Sequence, residues 1–288
     1  MKKHIPFIAV GALVTAVMAQ VAKVNLESEE VNVVQAPDVI WGALNPARGD
    51  KGPKAGTLWN DRTKESASGF LVRFTDGFSS PPHIHNVTYR GVVIRGLVHN
   101  DDPNAGELWM PPGSFWTQPA GEVHITAAKG EEVTAYIEID RGPYLVLPEA
   151  EAYDEGERPI NMVPSNVVWL ASSQTSWIQM PSGANDRCSP EIAFLWGTPG
   201  ETTTSGSFVR LPKGFDGHLH CHSGSMRVVI VEGSVVHTGS NETEPKGLQS
   251  GDYFGISGTA PVGLQCEPDE GSVAYIRASG TYRIIVSE

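Results

Sequence analysis

The hydrophobic pattern of this chain is made of short runs. Val92-Val93-Ile94 and the stretches 133–139, 226–231 and 272–276 are β-branched or alternate between apolar and polar positions. A period of two sends successive side chains to opposite faces of a strand. Gly, Pro and Asp cluster between the runs at intervals of about ten residues, which is turn chemistry. Beyond the first twenty residues, no stretch sustains a helical period. The pattern predicts an all-β chain.

The same pattern occurs twice. Leu58-Trp59 recurs as Leu195-Trp196, Gly69–Phe74 as Gly206–Leu211, and Gly77-Phe78 as Gly214-Phe215. His83-Ile84-His85 recurs as His220-Cys221-His222, and Gly91–Gly96 matches Val228–Gly233 in apolar pattern and final glycine. Gly142-Pro143-Tyr144 meets Gly280-Thr281-Tyr282. Two copies of one domain therefore follow each other, near 38–148 and 175–287. The domain division reads 1–19 leader, 20–148 first domain, 149–174 linker and 175–288 second domain. The linker carries Pro159 and Pro164 in an acidic, polar stretch. A copy with many short strands fits a sandwich or small barrel, and a double-sheet jelly roll protects its edges.

The first nineteen residues are set apart. Met1-Lys2-Lys3-His4 is basic, an apolar run follows, and Val17-Met18-Ala19 offers small residues for cleavage. This is a secretory leader's layout, too short in its apolar part to span a bilayer. The expectation is a bacterial protein, periplasmic or secreted, with no membrane span once the leader is removed. Such a compartment permits one disulfide among Cys188, Cys221 and Cys266 without selecting the pair.

Composition narrows the function. The hydrophobic fraction of 40% builds a core, and the net charge of −12 leaves no basic footprint for nucleic acid. No phosphate-binding glycine loop and no serine nucleophile elbow is present. The histidines stand out instead. Apart from His4 they divide four and four: His83, His85, His99 and His124, then His218, His220, His222 and His237. On a strand, His83-x-His85 puts two imidazoles on one face, and His124 is the candidate third ligand from elsewhere in the fold. Neutral imidazole suits Fe, Zn, Ni, Mn or Cu. Iron or zinc leads the expectation of one divalent transition metal. In the second copy His218, His220 and His222 alternate, so all three share a face and are candidates for a second site. Cys221, between two histidines expected to point inward, is expected to point outward. His99 follows the turn glycine Gly96 and is a candidate to orient a substrate.

At this point the spacing resembles a known family. Gly77-x5-His83-x-His85-x3-Tyr89-x6-Gly96 is similar to the first motif of the cupin superfamily. Gly113-x5-Pro119-x-Gly121-x2-His124 is similar to the second. The repeat makes the chain resemble a bicupin: an uncharacterised secreted bicupin family and, more distantly, the cupin domains of anti-sigma factors. The resemblance implies two tandem jelly-roll barrels. It also implies a metal held by His83, His85 and His124.

Two departures stand out. Cupins often carry a glutamate where this chain has Tyr89 and Met226, which leaves three neutral ligands in the first copy. In the second, Val262 falls where the third histidine belongs. Three-histidine cupins include non-haem iron dioxygenases. The resemblance thus implies oxidative chemistry on a small anionic molecule, with Tyr89 and His99 orienting it. Hydrolysis, lyase or isomerase chemistry at Zn, Mn or Ni uses the same ligands. A periplasmic binding or sensing module with a structural metal is the alternative. Trp116, between Gly113 and Pro119, is expected to line the pocket mouth. Two barrels in one chain already mimic a cupin dimer, and a homodimer of the chain stays open.

Overall fold

The computed structural model describes residues 31–183, 189–200, 203–239 and 244–288. Residues 1–19, expected to be a leader, and Cys188 lie outside the described residues. The chain is all-β, as the alternating runs predict, with short 3-10 turns where Pro and polar residues cluster. Among the described residues no helix is long and apolar enough to cross a membrane.

The first barrel is built on a seven-stranded antiparallel sheet. Its spatial order is Ile160–Met162, Phe115–Gln118, Tyr89–Asp101, Ile125–Ile139, Ser68–Arg73, Lys54–Trp59 and Trp41–Ala43. A small second sheet pairs His83–His85 with Val146–Pro148. The long strand Tyr89–Asp101 breaks register on both sides of Arg95, and Gly96 takes a φ of 76°. A bulge with a positive-φ glycine bends a strand sharply, which wraps one strand around the barrel. The repeat does the same: Ser225–Thr238 shifts between Ile230 and Glu232, and Gly233 has a φ of 73°.

Two chain segments depart from the domain division expected of the sequence. Val31–Val34 precedes the first barrel yet pairs with Tyr253–Ser257 of the second. Asp252 secures this arm: its carboxylate accepts from the Ala36 amide at 2.7 Å and the Gln249 amide at 2.9 Å. Within the linker, Ile160–Met162 adds an edge strand to the first barrel, and Leu170–Ala171 adds one to the second.

Each barrel has its own apolar core, and a third core joins them. Leu71, Val92, Ile94 and Phe115 of the first barrel pack against Phe208, Val229 and Tyr253 of the second. A buried polar network crosses this interface on repeated residues. Trp59 Nε1 donates to Tyr136 Oη at 3.0 Å, and Trp196 Nε1 donates to Tyr275 Oη at 2.8 Å. Both tyrosines donate to the Glu138 carboxylate, at 3.0 and 2.8 Å. Where the first barrel has Glu138, the second has Arg277, whose guanidinium meets Glu138 at 3.1 Å and Asp140 at 2.6 Å. The repeat thus keeps the aromatic pair and exchanges an acid for a base, so the two halves complement each other.

Cys221 and Cys266 are buried free thiols, so no disulfide joins these two. Cys221 is only 1% exposed and belongs to the core of the second barrel. It points inward, opposite to the sequence expectation.

Candidate metal centre

The site forms where two strands of the first barrel meet. Pro81-Pro82 delivers the chain into His83–His85, and His83 and His124 form an isolated antiparallel bridge. Its two backbone hydrogen bonds measure 3.1 and 3.0 Å. The bridge sets His124 beside the His83-x-His85 pair. One ring nitrogen from each of His83, His85 and His124 lies within 4.8 Å of the others, and all three residues are buried. The structure therefore brings together the three histidines that the sequence offers as candidate ligands.

Backbone carbonyls set the tautomers. The Nδ1 atoms of His83, His85 and His124 sit 3.0, 2.8 and 3.2 Å from the carbonyls of Pro81, Leu145 and Glu122. A carbonyl only accepts, so each Nδ1 carries the proton and each Nε2 keeps its lone pair. Burial opposes charging of the rings. It holds His83 and His85 below the ordinary imidazole value and pushes His124 down to about 3, with His83 as a further cause. Three neutral imidazoles with oriented Nε2 lone pairs fit a divalent transition metal, and the carbonyl contacts are the supports such ligands use.

Tyrosines crowd the same pole. Tyr89 Oη lies 2.8 Å from Asn100 Oδ1 and 3.4 Å from His124 Nε2. Tyr144 Oη lies 3.2 Å from His85 Nε2, and its ring stacks on His85 with centroids 4.4 Å apart. Since His85 Nε2 can only accept, Tyr144 donates to it. Trp116 is fully buried and forms a cavity wall, deeper than the pocket mouth expected for it. Its indole lies where any side chain at Gly91 would fall, so Gly91 is required by close approach. The cavity beside His83 and His85 is small, about 50 Å³. Phe74, Phe78, Val72 and Ile137 make it apolar, and the half-buried Arg48 stands at its edge.

His99 is not part of this centre. Its neighbour Asn100 faces Tyr89, so His99 faces the other way. Its Nδ1 lies 3.2 Å from the Leu108 carbonyl and its ring packs on Trp109. The physical reason is the register break around Arg95: alternation alone would put His99 on the face of Tyr89, and the break turns it to the face that serves the loop before Met110. Sequence reasoning missed Tyr144 and Asn100. The only trace of Tyr144 was its repetition as Tyr282.

The second barrel corrects the direction expected of its histidines. His218 and His222 are exposed and His220 is half-buried, while Leu219 and Cys221 are buried. In the first barrel His83 pairs with His124; in the second, Leu219 pairs with Val262. Leu219 thus holds the place of His83, Cys221 that of His85 and Val262 that of His124. The strand sits one residue out of the register that aligned the His-x-His pairs, and a one-residue slip turns every side chain to the other face. Met226 stands where Tyr89 does and is also in the core. The site position is filled with apolar side chains. Among the described residues only His83, His85 and His124 form a cluster of three ligand groups. His220→Ala combined with His222→Ala is accordingly expected to leave the metal content of the wild type unchanged by elemental mass spectrometry. A loss of metal would mean that the outward pair is a ligand set.

The fold is that of two tandem cupin-type barrels. The chain belongs to the family described as Domain of unknown function (DUF4437), whose model matches residues 32–285. No curated protein sequence matches the chain. Among solved structures it is similar to a candidate dioxygenase from Nostoc punctiforme, at 13% identity over 90% of this chain and 88% of that one, TM-score 0.62. A salicylate 1,2-dioxygenase from Pseudaminobacter salicylatoxidans matches at 15% identity over 91% and 87%, TM-score 0.58. An oxalate decarboxylase variant of Bacillus subtilis matches at 14% identity over 86% and 77%, TM-score 0.51. At these identities the likeness shows the shared fold.

Proposed function

We propose that the first barrel binds one divalent transition metal through His83, His85 and His124 and acts as a dioxygenase-like oxidoreductase on a small anionic molecule. The observation that carries this is the triad itself: three buried, neutral, oriented imidazoles, two of which, His83 and His85, line a cavity. A bound ion would supply a Lewis-acid hold on a chelating anion and, with iron, the redox partner for O₂. The chain supplies the rest. Arg48 lines the cavity and places a positive charge there, which favours an anion. The apolar wall excludes water. Tyr144, 3.2 Å from His85 Nε2, would have to release that nitrogen for it to hold an ion. At about 10–15 Å³ per water, the cavity has room for a few waters or a small acid. The leader-like N-terminus supports a periplasmic or secreted location.

The crowding of the pole by Tyr89, Tyr144 and Trp116 favours a second reading, a binding module whose metal turns nothing over. One experiment separates the two. Protein purified without an affinity tag is expected to carry about one metal per chain by elemental mass spectrometry. The iron-loaded form is expected to consume O₂ when small hydroxy- and oxo-acids are supplied. Metal without O₂ uptake would leave the binding module. A metal-free wild type that takes up none on incubation would overturn both.

A further inference from the structure

A chain of hydrogen bonds fixes which way the Tyr89 hydroxyl points. It starts at the Glu122 carbonyl, which can only accept. Gln118 Nε2 donates to it at 3.3 Å, so Gln118 presents Oε1 to Asn100. Asn100 Nδ2 donates to that oxygen at 2.9 Å, so Asn100 presents Oδ1 to Tyr89 and Thr126. Oδ1 can only accept, and it takes Thr126 Oγ1 at 2.7 Å and Tyr89 Oη at 2.8 Å. Tyr89, Asn100 and Gln118 are each at most 3% exposed, so no solvent reorders the chain.

The same Glu122 carbonyl also accepts from His124 Nδ1. One backbone oxygen therefore polarises both routes to the metal pole. Along one, His124 Nε2 is left with a bare lone pair. Along the other, the single Tyr89 proton is spent on Asn100, at 2.8 Å, rather than on His124, at 3.4 Å. The Tyr89 oxygen, with the Trp116 indole edge-on beside its ring, then presents a lone pair toward that of His124, an arrangement that repels unless something positive sits between or beside them.

We infer that Tyr89 faces the metal pole as a hydrogen-bond acceptor, and that the group it orients there brings its own proton, as water or a hydroxy acid does. Asn100 and Gln118 are positioning residues that set this polarity. The inference rests on the metal centre proposed above and gives the site a preference: a hydroxyl-bearing acid gains a contact that the same acid without the hydroxyl cannot make. Where the family pattern has a charged glutamate ligand, this chain has a neutral acceptor of fixed direction.

Two measurements on the full chain test it. In the metal-free protein, the ¹⁵N resonance of His124 Nε2, assigned by its loss in His124→Ala, is compared between wild type and Tyr89→Phe. The expected result is no downfield movement, because no Tyr89 proton rests on that nitrogen. A clear downfield movement would show that Tyr89 donates to it and would overturn the inference. In the cobalt(II)-loaded protein, glycolate and acetate are titrated against the visible absorption of the ion. The wild-type preference for glycolate is expected to fall about fivefold in Tyr89→Phe, the worth of one ordinary hydrogen bond. Asn100→Leu is expected to lose the preference equally at unchanged cobalt content, and Asn100→Asp, still an acceptor for Tyr89, to keep it. An unchanged ratio in Tyr89→Phe would overturn the inference. If the wild type takes up no cobalt, the proposed metal centre fails, and the nitrogen resonance still decides the polarity of Tyr89.

Discussion

Replacing His124 with alanine is expected to empty the metal centre while the barrel stays folded. His124 is fully buried and its ring lies against both other imidazoles, 4.3 Å from His83 and 5.2 Å from His85 between centroids. Without it, two ligands on one strand remain. Losing even an outer support of a metal ligand costs about 10–100-fold in affinity, so losing a ligand costs more. The strand pairing survives, because the contact of residue 124 with His83 is made by backbone atoms. The check is metal per chain after dialysis, beside near-ultraviolet circular dichroism to show that tertiary packing persists. A folded variant that retains the wild-type metal would show that His124 is not a ligand.

The second large effect is expected far from the centre. Arg277→Met removes the cation beside Glu138, whose side chain is completely buried. Breaking a buried pair by deleting one partner costs about 3–5 kcal/mol, because the remaining charge has no water to return to. The two tyrosine donors to Glu138 remain and place the expectation near the lower end of that range. The Asp140 contact adds little, since that side chain is 47% exposed and solvent screens it. The urea midpoint should fall in the single variant and recover most of the loss in Glu138→Gln/Arg277→Met, where neither charge is left stranded. A single variant as stable as the wild type would show that this pair does not hold the barrels together.

The fold was legible because β structure writes itself as alternation, and repetition of the alternation gave the two barrels. The triad was legible for a related reason. Two of its members are two residues apart on one strand, and the glycines and proline around His124 mark the turn that delivers it. The second barrel misled because identity of residue type outweighed register. Matching His220 and His222 to His83 and His85 satisfied the letters but set Leu219 and Cys221 outward. A barrel core does not leave those two in water while it buries histidines without partners. Leu219, Cys221 and Val262 were the apolar set that belonged inside. Tyr144, Asn100 and the partner of the arm at Val31–Val34 were not legible for a different cause. Tyr144 and the arm act across separations that no local pattern encodes, since Tyr144 reaches His85 from 59 residues away and Ala36 reaches Asp252 from 216, whereas Asn100 shares a strand with Tyr89 and is brought to its face by the register break around Arg95.

That last separation bears on how the chain is made. The arm emerges first, yet its partner strand is among the last to be synthesised. At a synthesis rate of about 5–20 residues per second, the arm waits roughly 10–40 s before Asp252 exists to hold it. Tyr253–Ser257 gains its pairing with Val31–Val34 only when that earlier-made segment reaches it across the whole first barrel. Anything fused directly ahead of Val31 would therefore be felt by the barrel encoded last.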